Sequence, residues 1–189
     1  IGSLYRAAQK ARGQFVIVVA NAGTAESAPA EKVSPELWHK TLDTNLTGAF
    51  FSVQPALGPM REKKWGRIVF IASTAGLKGY PYVAHYVAAK HGVVGLARAL
   101  AAETAKDGVT VNAICPGFTE TSLLDRAVDR IAERTRISET EARKALVSHN
   151  PQGRFIQPQE VADAVVWLCQ EGSGAITGQA ISVSGGETW

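Results

Sequence analysis

The sequence predicts an α/β fold with a parallel sheet, and three observations predict it. Four apolar runs recur along the chain without polar alternation, as strands buried on both faces do. Longer helical patterns separate them, so strand and helix alternate and right-handed crossovers are expected. At 189 residues, with 46% hydrophobic and 20% charged residues, the chain has the size and composition of one globular domain.

In order, residues 1–14 (IGSLYRAAQKARGQ) open on a helix that puts Ile1, Leu4, Ala8 and Ala11 on one stripe. The run FVIVVA, Phe15 to Ala20, lies between Gly13 and NAGTAESAP and is the first strand. Ser34, Pro35 and Glu36 start a helix: a hydroxyl accepts from a free N–H, and proline sits where no N–H is needed. That pattern runs to about Lys63, with a kink expected at Pro55. GRIVFIAS, Gly66 to Ser73, is the second strand. A loop rich in Gly and Tyr leads to a helix from about Val83 to Lys106. The third strand, GVTVNAICPG, ends at Pro116-Gly117. Amphipathic helices follow at about Ser122–Thr135 and Ser138–Ser148, and Pro151 ends that pattern. QPQEVADAVVWLCQEG is a capped helix and GQAISVSGG the last strand. Residues 119–158 are the one long departure from alternation, a substrate-loop insertion within the single domain, because insertions past a strand's carboxyl end shape binding sites.

Charge and composition exclude several roles. The net charge is +3, and Lys and Arg are interleaved with acids, as in LLDRAVDRIAERTR. That is a solvated helix face, so no nucleic-acid partner is expected. No apolar run approaches the ~20 residues of a membrane span, and neither membrane nor signal peptide is expected. Cys115 and Cys169 form no Cys-x-x-Cys and read as small buried hydrophobes in a reducing compartment, the cytoplasm. His39, His85, His91 and His149 lack metal-ligand spacing, so no metal is expected. For His85 and His91 a satisfied structural role is expected.

The chemistry gathers where strands end. Asn21-Ala22-Gly23 follow the first, Ser73 ends the second, and Pro116-Gly117 end the third, all on the ligand-binding edge of a parallel sheet. In YVAHYVAAKHGVVG, Tyr86 and Lys90 stand four apart on one helix face, within reach of that edge. Alone, such a pair is more often a core-capping tyrosine and a snorkelling lysine. In this company it reads as a proton-transfer pair. Bringing a tyrosine from near 10 to ~7 takes about 4 kcal/mol of preference for the phenolate. A close ammonium in a low-dielectric cleft acts on that scale. Ser73 can hold a substrate oxygen against the Tyr86 hydroxyl. The set moves a proton on or off an alcohol oxygen, and hydride removal from the same carbon requires a cofactor.

Five motifs together resemble the short-chain dehydrogenase/reductase family: NAG (Asn21–Gly23), NLTGAF (from Asn45), IAS (ending in Ser73), YVAAK (Tyr86 to Lys90) and NAICPG (Asn112 to Gly117). Their order and spacing are the family's, and the resemblance runs from Gly13 to the end. It implies a Rossmann-like, doubly wound parallel sheet in three α/β/α layers. The first βαβαβ half, with its Gly-rich pyrophosphate loop, is missing from the residues at hand, so a longer parent chain is expected. The resemblance implies that Tyr86 is the catalytic acid/base, that Lys90 lowers its pKa and holds the nicotinamide ribose, and that Ser73 orients the substrate oxygen. Asn45 would help hold a proton-relay water at a helix irregularity, with helix capping or core filling as the alternative. Asn21, Ala22 and Gly23 would lie along the adenosine side of the cofactor. Pro116, Gly117 and Thr119 would line the nicotinamide, and Thr121 would donate to its carboxamide or phosphate, or else simply cap the next helix. The cofactor is NAD or NADP, with NAD favoured.

Within the family, the D-3-hydroxybutyrate dehydrogenase branch is most similar. Ala75, Val83 and Phe118 stand where that branch holds a carboxylate with His, Lys and Trp. The implied small-molecule substrate is therefore a hydrophobic secondary alcohol or ketone, or a 3-hydroxyacyl thioester. Thr74, Ala75, Tyr80, Val83, Phe118, Leu123 and His149 are the pocket candidates, with core packing as the alternative for most. Small residues on the outer faces of helices 45–63 and 83–106 suit a homotetramer or homodimer. The competing reading is a non-catalytic structural or interaction protein of the same descent, favoured by the absent Gly-rich loop.

Overall fold

Strands β1 (Ile17–Ala20), β2 (Gly66–Ile71), β3 (Val109–Pro116) and β4 (Ala180–Val183) form one sheet in the order β1-β2-β3-β4. All neighbours are parallel, with Ile17 opposite Arg67, Ile68 opposite Val111 and Ile114 opposite Ile181. The computed structural model describes residues 2–189. Ile1 and the Leu4 side chain lie outside the described residues, and so does the part of the expected helical stripe that they form. The helix itself is α1 (Gly2–Arg12).

The uninterrupted apolar runs have a direct cause. β2 and β3 are central and buried almost throughout, so both faces of each strand demand apolar side chains. Ile68 and Phe70 point to one face, where α3 (Gly48–Lys63) and α4 (Ala84–Thr104) cover them with Val53, Ala56, Met60, Val93 and Ala97. Val69 and Ile114 point to the other face, under Leu168 of α7 (Pro158–Cys169). Each such large apolar side chain contributes about 1.5–3 kcal/mol by leaving water. A sheet between two helix layers results. β1 is less covered: Ile17 and Val19 are 43% and 42% exposed.

Ser34 caps α2 (Pro35–Leu42), its hydroxyl accepting from Leu37 N at 3.2 Å. The helix does not break at Pro55. α3 runs through both Pro55 and Pro59, held to the sheet by Val53, Ala56 and Met60, which are fully buried. The interruption lies earlier, in a π-helical turn at Asp43–Thr47 between α2 and α3. After β3, α5 (Ser122–Thr135) and α6 (Glu139–Val147) pack on each other through Leu124, Val128, Ala142 and Leu146, with Phe155 completing a separate small core. Because the strands are parallel, residues 21–23, 72–74, 117–119 and 184–188 all leave the sheet at one edge.

Candidate active site

The turn Thr74–Gly76 lies directly on α4. A Cβ added to Gly76 would come within 2.8 Å of the Lys90 carbonyl oxygen, so only glycine allows this approach. The contact brings Ser73 to Tyr86. Ser73 Oγ accepts from Ala75 N at 3.1 Å, which fixes the hydroxyl at the start of the turn. Burial raises the Tyr86 pKa, and a hydrogen bond with Ser73 opposes the rise. Burial lowers Lys90 to about 8, with the neighbouring Cys115 acting in the opposite direction. Lys90 Nζ donates to the Ile71 carbonyl at 2.8 Å and lies 5.6 Å from the centre of the Tyr86 ring.

Lys90 thus sits over the Tyr86 ring face and bonds a backbone carbonyl, while desolvation disfavours the phenolate. At neutral pH Tyr86 is a phenol, a proton donor.

Asn45 is buried in the π turn and its amide is fully engaged. Nδ2 donates to Thr24 O (3.0 Å) and Thr41 O (2.9 Å), and Oδ1 accepts from Thr24 N (3.1 Å). Asn45 thereby ties the segment after β1 to the helix pair, and the widened turn around it is a common functional irregularity. Asn21, Ala22 and Gly23 are exposed at the sheet edge. A Cβ on Gly23 would reach Asn45 Oδ1 at 3.0 Å and Lys90 Nζ at 3.6 Å. The glycine therefore leaves a cradle beside an ammonium that has donors to spare, which fits a ribose hydroxyl pair.

Pro116, Gly117 and Thr119 leave β3 half-buried. Thr119 Oγ1 donates to Gly117 O at 3.0 Å and Thr121 Oγ1 to Thr119 O at 3.2 Å. Thr121 stands at the N-cap of α5, where its carbonyl accepts from Leu124 N and Asp125 N but its side chain makes no cap bond. Of the pocket candidates, Tyr80, Phe118 and His149 come together, with ring centres 5.8–6.2 Å apart. Tyr80 Oη lies 2.7 Å from Thr74 Oγ1. Ala75 is buried within the turn, while Val83 and Leu123 are half-buried at the starts of α4 and α5.

Glu187 escaped the sequence reading. Glu187 Oε1 accepts from Tyr80 Oη at 2.5 Å and from Lys78 Nζ at 3.1 Å. Burial and the Glu187 hydrogen bond both raise the Tyr80 pKa. No periodicity marks Glu187; its only local signal is the Gly185-Gly186 pair before it. His85 also departs from expectation. It is fully buried on α4, and neither ring nitrogen has a partner among the described residues; Ala30, Val33, Ser34, Pro35 and Trp38 line the adjoining hollow. His91 does bond, to Val87 O at 2.9 Å.

Among the described residues no cluster of His, Cys, Asp or Glu could hold a metal ion, and no helix is long and apolar enough to cross a membrane.

A family model described as enoyl-(acyl carrier protein) reductase matches residues 1–188. D-beta-hydroxybutyrate dehydrogenase of Cupriavidus necator is 40% identical over 187 residues, 98% of this chain and 72% of that protein. Acetoacetyl-CoA reductase of Rhizobium meliloti is 42% identical over 175 residues, 93% of this chain and 68% of that protein. The crystal structure of a variant actinorhodin polyketide ketoreductase with NADPH superposes with a TM-score of 0.93 at 40% identity, covering 98% of this chain and 72% of the other. The motifs, the parallel sheet and these relatives agree: the chain belongs to the short-chain dehydrogenase/reductase family and is an oxidoreductase of its secondary alcohol–ketone class.

Proposed function

We propose that the chain reduces a ketone on an acyl chain to a secondary alcohol, reversibly, with a nicotinamide cofactor. One observation carries this reading: Ser73, Tyr86 and Lys90 meet at one edge of the sheet. Ser73 holds the carbonyl oxygen, and the Tyr86 hydroxyl donates the proton that turns it into an alcohol. Lys90 and the cradle at Gly23 hold the ribose. The cofactor, when bound, supplies the hydride that no side chain can. Asn21 and Ala22 lie along the adenosine side, Pro116, Gly117 and Thr119 line the nicotinamide, and Thr121 is free to turn from Thr119 towards it. Asn45 acts through its π turn, whose backbone can hold a relay water. The segment 119–158 forms the substrate loop, and Tyr80, Phe118 and His149 give the acyl chain an aromatic wall.

NADPH is the better-supported cofactor, since the solved relative at 40% identity carries it; the preference for NAD rests on the resemblance alone. Cys115 and Cys169 are both free, in keeping with a reducing cytoplasm. A homo-oligomer is supported by Gly95 in the middle of α4. It is exposed, and a Cβ there would meet nothing within 4 Å, so the fold of one chain gives no reason for a helix-weakening glycine. A second copy's helix would.

The test is Tyr86→Phe. The variant should fold with unchanged circular dichroism and lose at least ~10²-fold in kcat, the usual scale for an acid/base group. Undiminished turnover would remove Tyr86 from the mechanism.

A further inference from the structure

Glu187 lies against the site, and the proton chemistry above gives it no role. It follows Gly185 and Gly186, whose backbone φ values of +64° and +93° turn the chain from β4 back over Gly117. Its side chain is 1% exposed. The two carboxylate oxygens differ sharply. Oε1 accepts from Tyr80 and Lys78. A carboxylate only accepts, so the Tyr80 proton lies on that bond and the Thr74 hydroxyl donates to Tyr80. Oε2 is buried without a partner, and it is the atom that a Cβ on Gly117 would meet, at 3.1 Å. It thus lies against the end of β3 at Gly117, from where its charge acts on the adjoining site. The Lys78 side chain is 37% exposed, so water screens its charge far more than that of the buried carboxylate. A buried anion lacking a partner on one side is costly, and native folds keep such groups where they serve a site.

We propose that Glu187 is a specificity-determining residue. Its bare oxygen makes the cleft wall at Gly117 reject substrates that carry a free carboxylate and admit neutral acyl ketones such as thioesters. The inference rests on the reductase reading and names its substrate class. It also separates two kinds of relative: a hydroxybutyrate dehydrogenase, by its name, acts on a free acid, and an acetoacetyl-CoA reductase on a thioester.

The experiment compares kcat/KM for the N-acetylcysteamine thioester of acetoacetate with that for acetoacetate itself, with NADPH and with NADH at fixed ionic strength. The wild-type protein should favour the thioester by about a hundredfold, the scale of a like-charge contact. Glu187→Gln should narrow the ratio at least tenfold, chiefly by lowering KM for acetoacetate. Lys78→Gln should widen it, because the remaining anion is then less compensated. A wild-type protein that uses both substrates equally, or a ratio unmoved by Glu187→Gln, overturns the proposal. If Glu187→Gln does not fold, Lys78→Gln decides: a wider ratio supports the proposal, and an unmoved or narrower one overturns it. If the wild-type protein reduces neither compound with either cofactor, the reductase reading fails and this inference falls with it. Turnover of both substrates at one rate sinks only the inference.

Discussion

Tyr86 and Lys90 are displaced from their ordinary titrations in ways that give opposite signs to test. Burial raises Tyr86, so the phenol persists through neutral pH. Ketone reduction, which needs the proton in place, should be flat through neutrality and decline only in alkali. Alcohol oxidation, which needs the phenolate, should climb with pH over the same range. Initial rates in both directions from pH 6 to 10 check this, and parallel profiles would contradict it. Lys90 is depressed by burial from 10.5 to about 8. The unfolded chain therefore holds this proton more tightly. Stability rises with pH from about 8 to about 10.5, and below that window the fold carries the whole cost of a buried ammonium, about 3 kcal/mol at most. Lys90→Met removes the charge and loses the bond to Ile71 O. We expect it to raise stability by about 2 kcal/mol at pH 7 and to gain nothing above pH ~10.5, while abolishing activity. Urea unfolding at the two pH values reads this out. A loss of stability at pH 7 would show that the lysine is held by more than it loses to burial.

Among the elements, the π turn at Asp43–Thr47 decides how the loop after β1 is held. Asn45 makes three hydrogen bonds from inside that turn, two of them to Thr24. Asn45→Ala strands Thr24 N–H and C=O and should cost about 2–3 kcal/mol in stability. It should also raise KM for the nicotinamide cofactor, since Gly23 and Thr24 are then free to move. Asn45→Asp tests the same point: it keeps one acceptor and should recover part of the stability but not the donor bonds. The family resemblance implied a helix irregularity at Asn45 but not what holds it. A π turn depends on the partner loop that captures the side chain, 21 residues away. Pro55, where a kink was expected, does not end the helix, since packing on the sheet carries α3 through it. What was legible was local: Ser34-Pro35 as a helix start, and apolar runs that alternate faces in β2. Ser73, Tyr86 and Lys90 were legible because strand ends and helix starts place them by topology alone. Glu187 was not, because its partner Tyr80 lies 107 residues earlier and no period connects them.

For the whole molecule, what remains exposed says how copies would meet. The outward line of α4 is Ala84, Ala88, His91, Gly95 and Ala99, and Phe51 of α3, in the same helix layer, is 46% exposed. An exposed apolar ring and a line of small residues on a helix are each unfavourable or unexplained in an isolated chain, and close helix packing between copies would bury both. Two-fold symmetry would double the effect of any change there, since one patch meets its own image. Ala88→Arg and Gly95→Arg together place like charges in that seam without touching the core of one subunit. The chain fold should survive, as judged by circular dichroism, while sedimentation equilibrium shows the assembly mass falling at least by half. Activity should fall with it, because α4 also carries Tyr86 and Lys90 and its first turns would lose the partner that steadies them. A wild-type protein that sediments as a monomer would end the oligomer proposal. An assembly unaffected by the two arginines would move the interface elsewhere, with α7, where Val166 and Trp167 are 58% and 45% exposed, as the face to probe next.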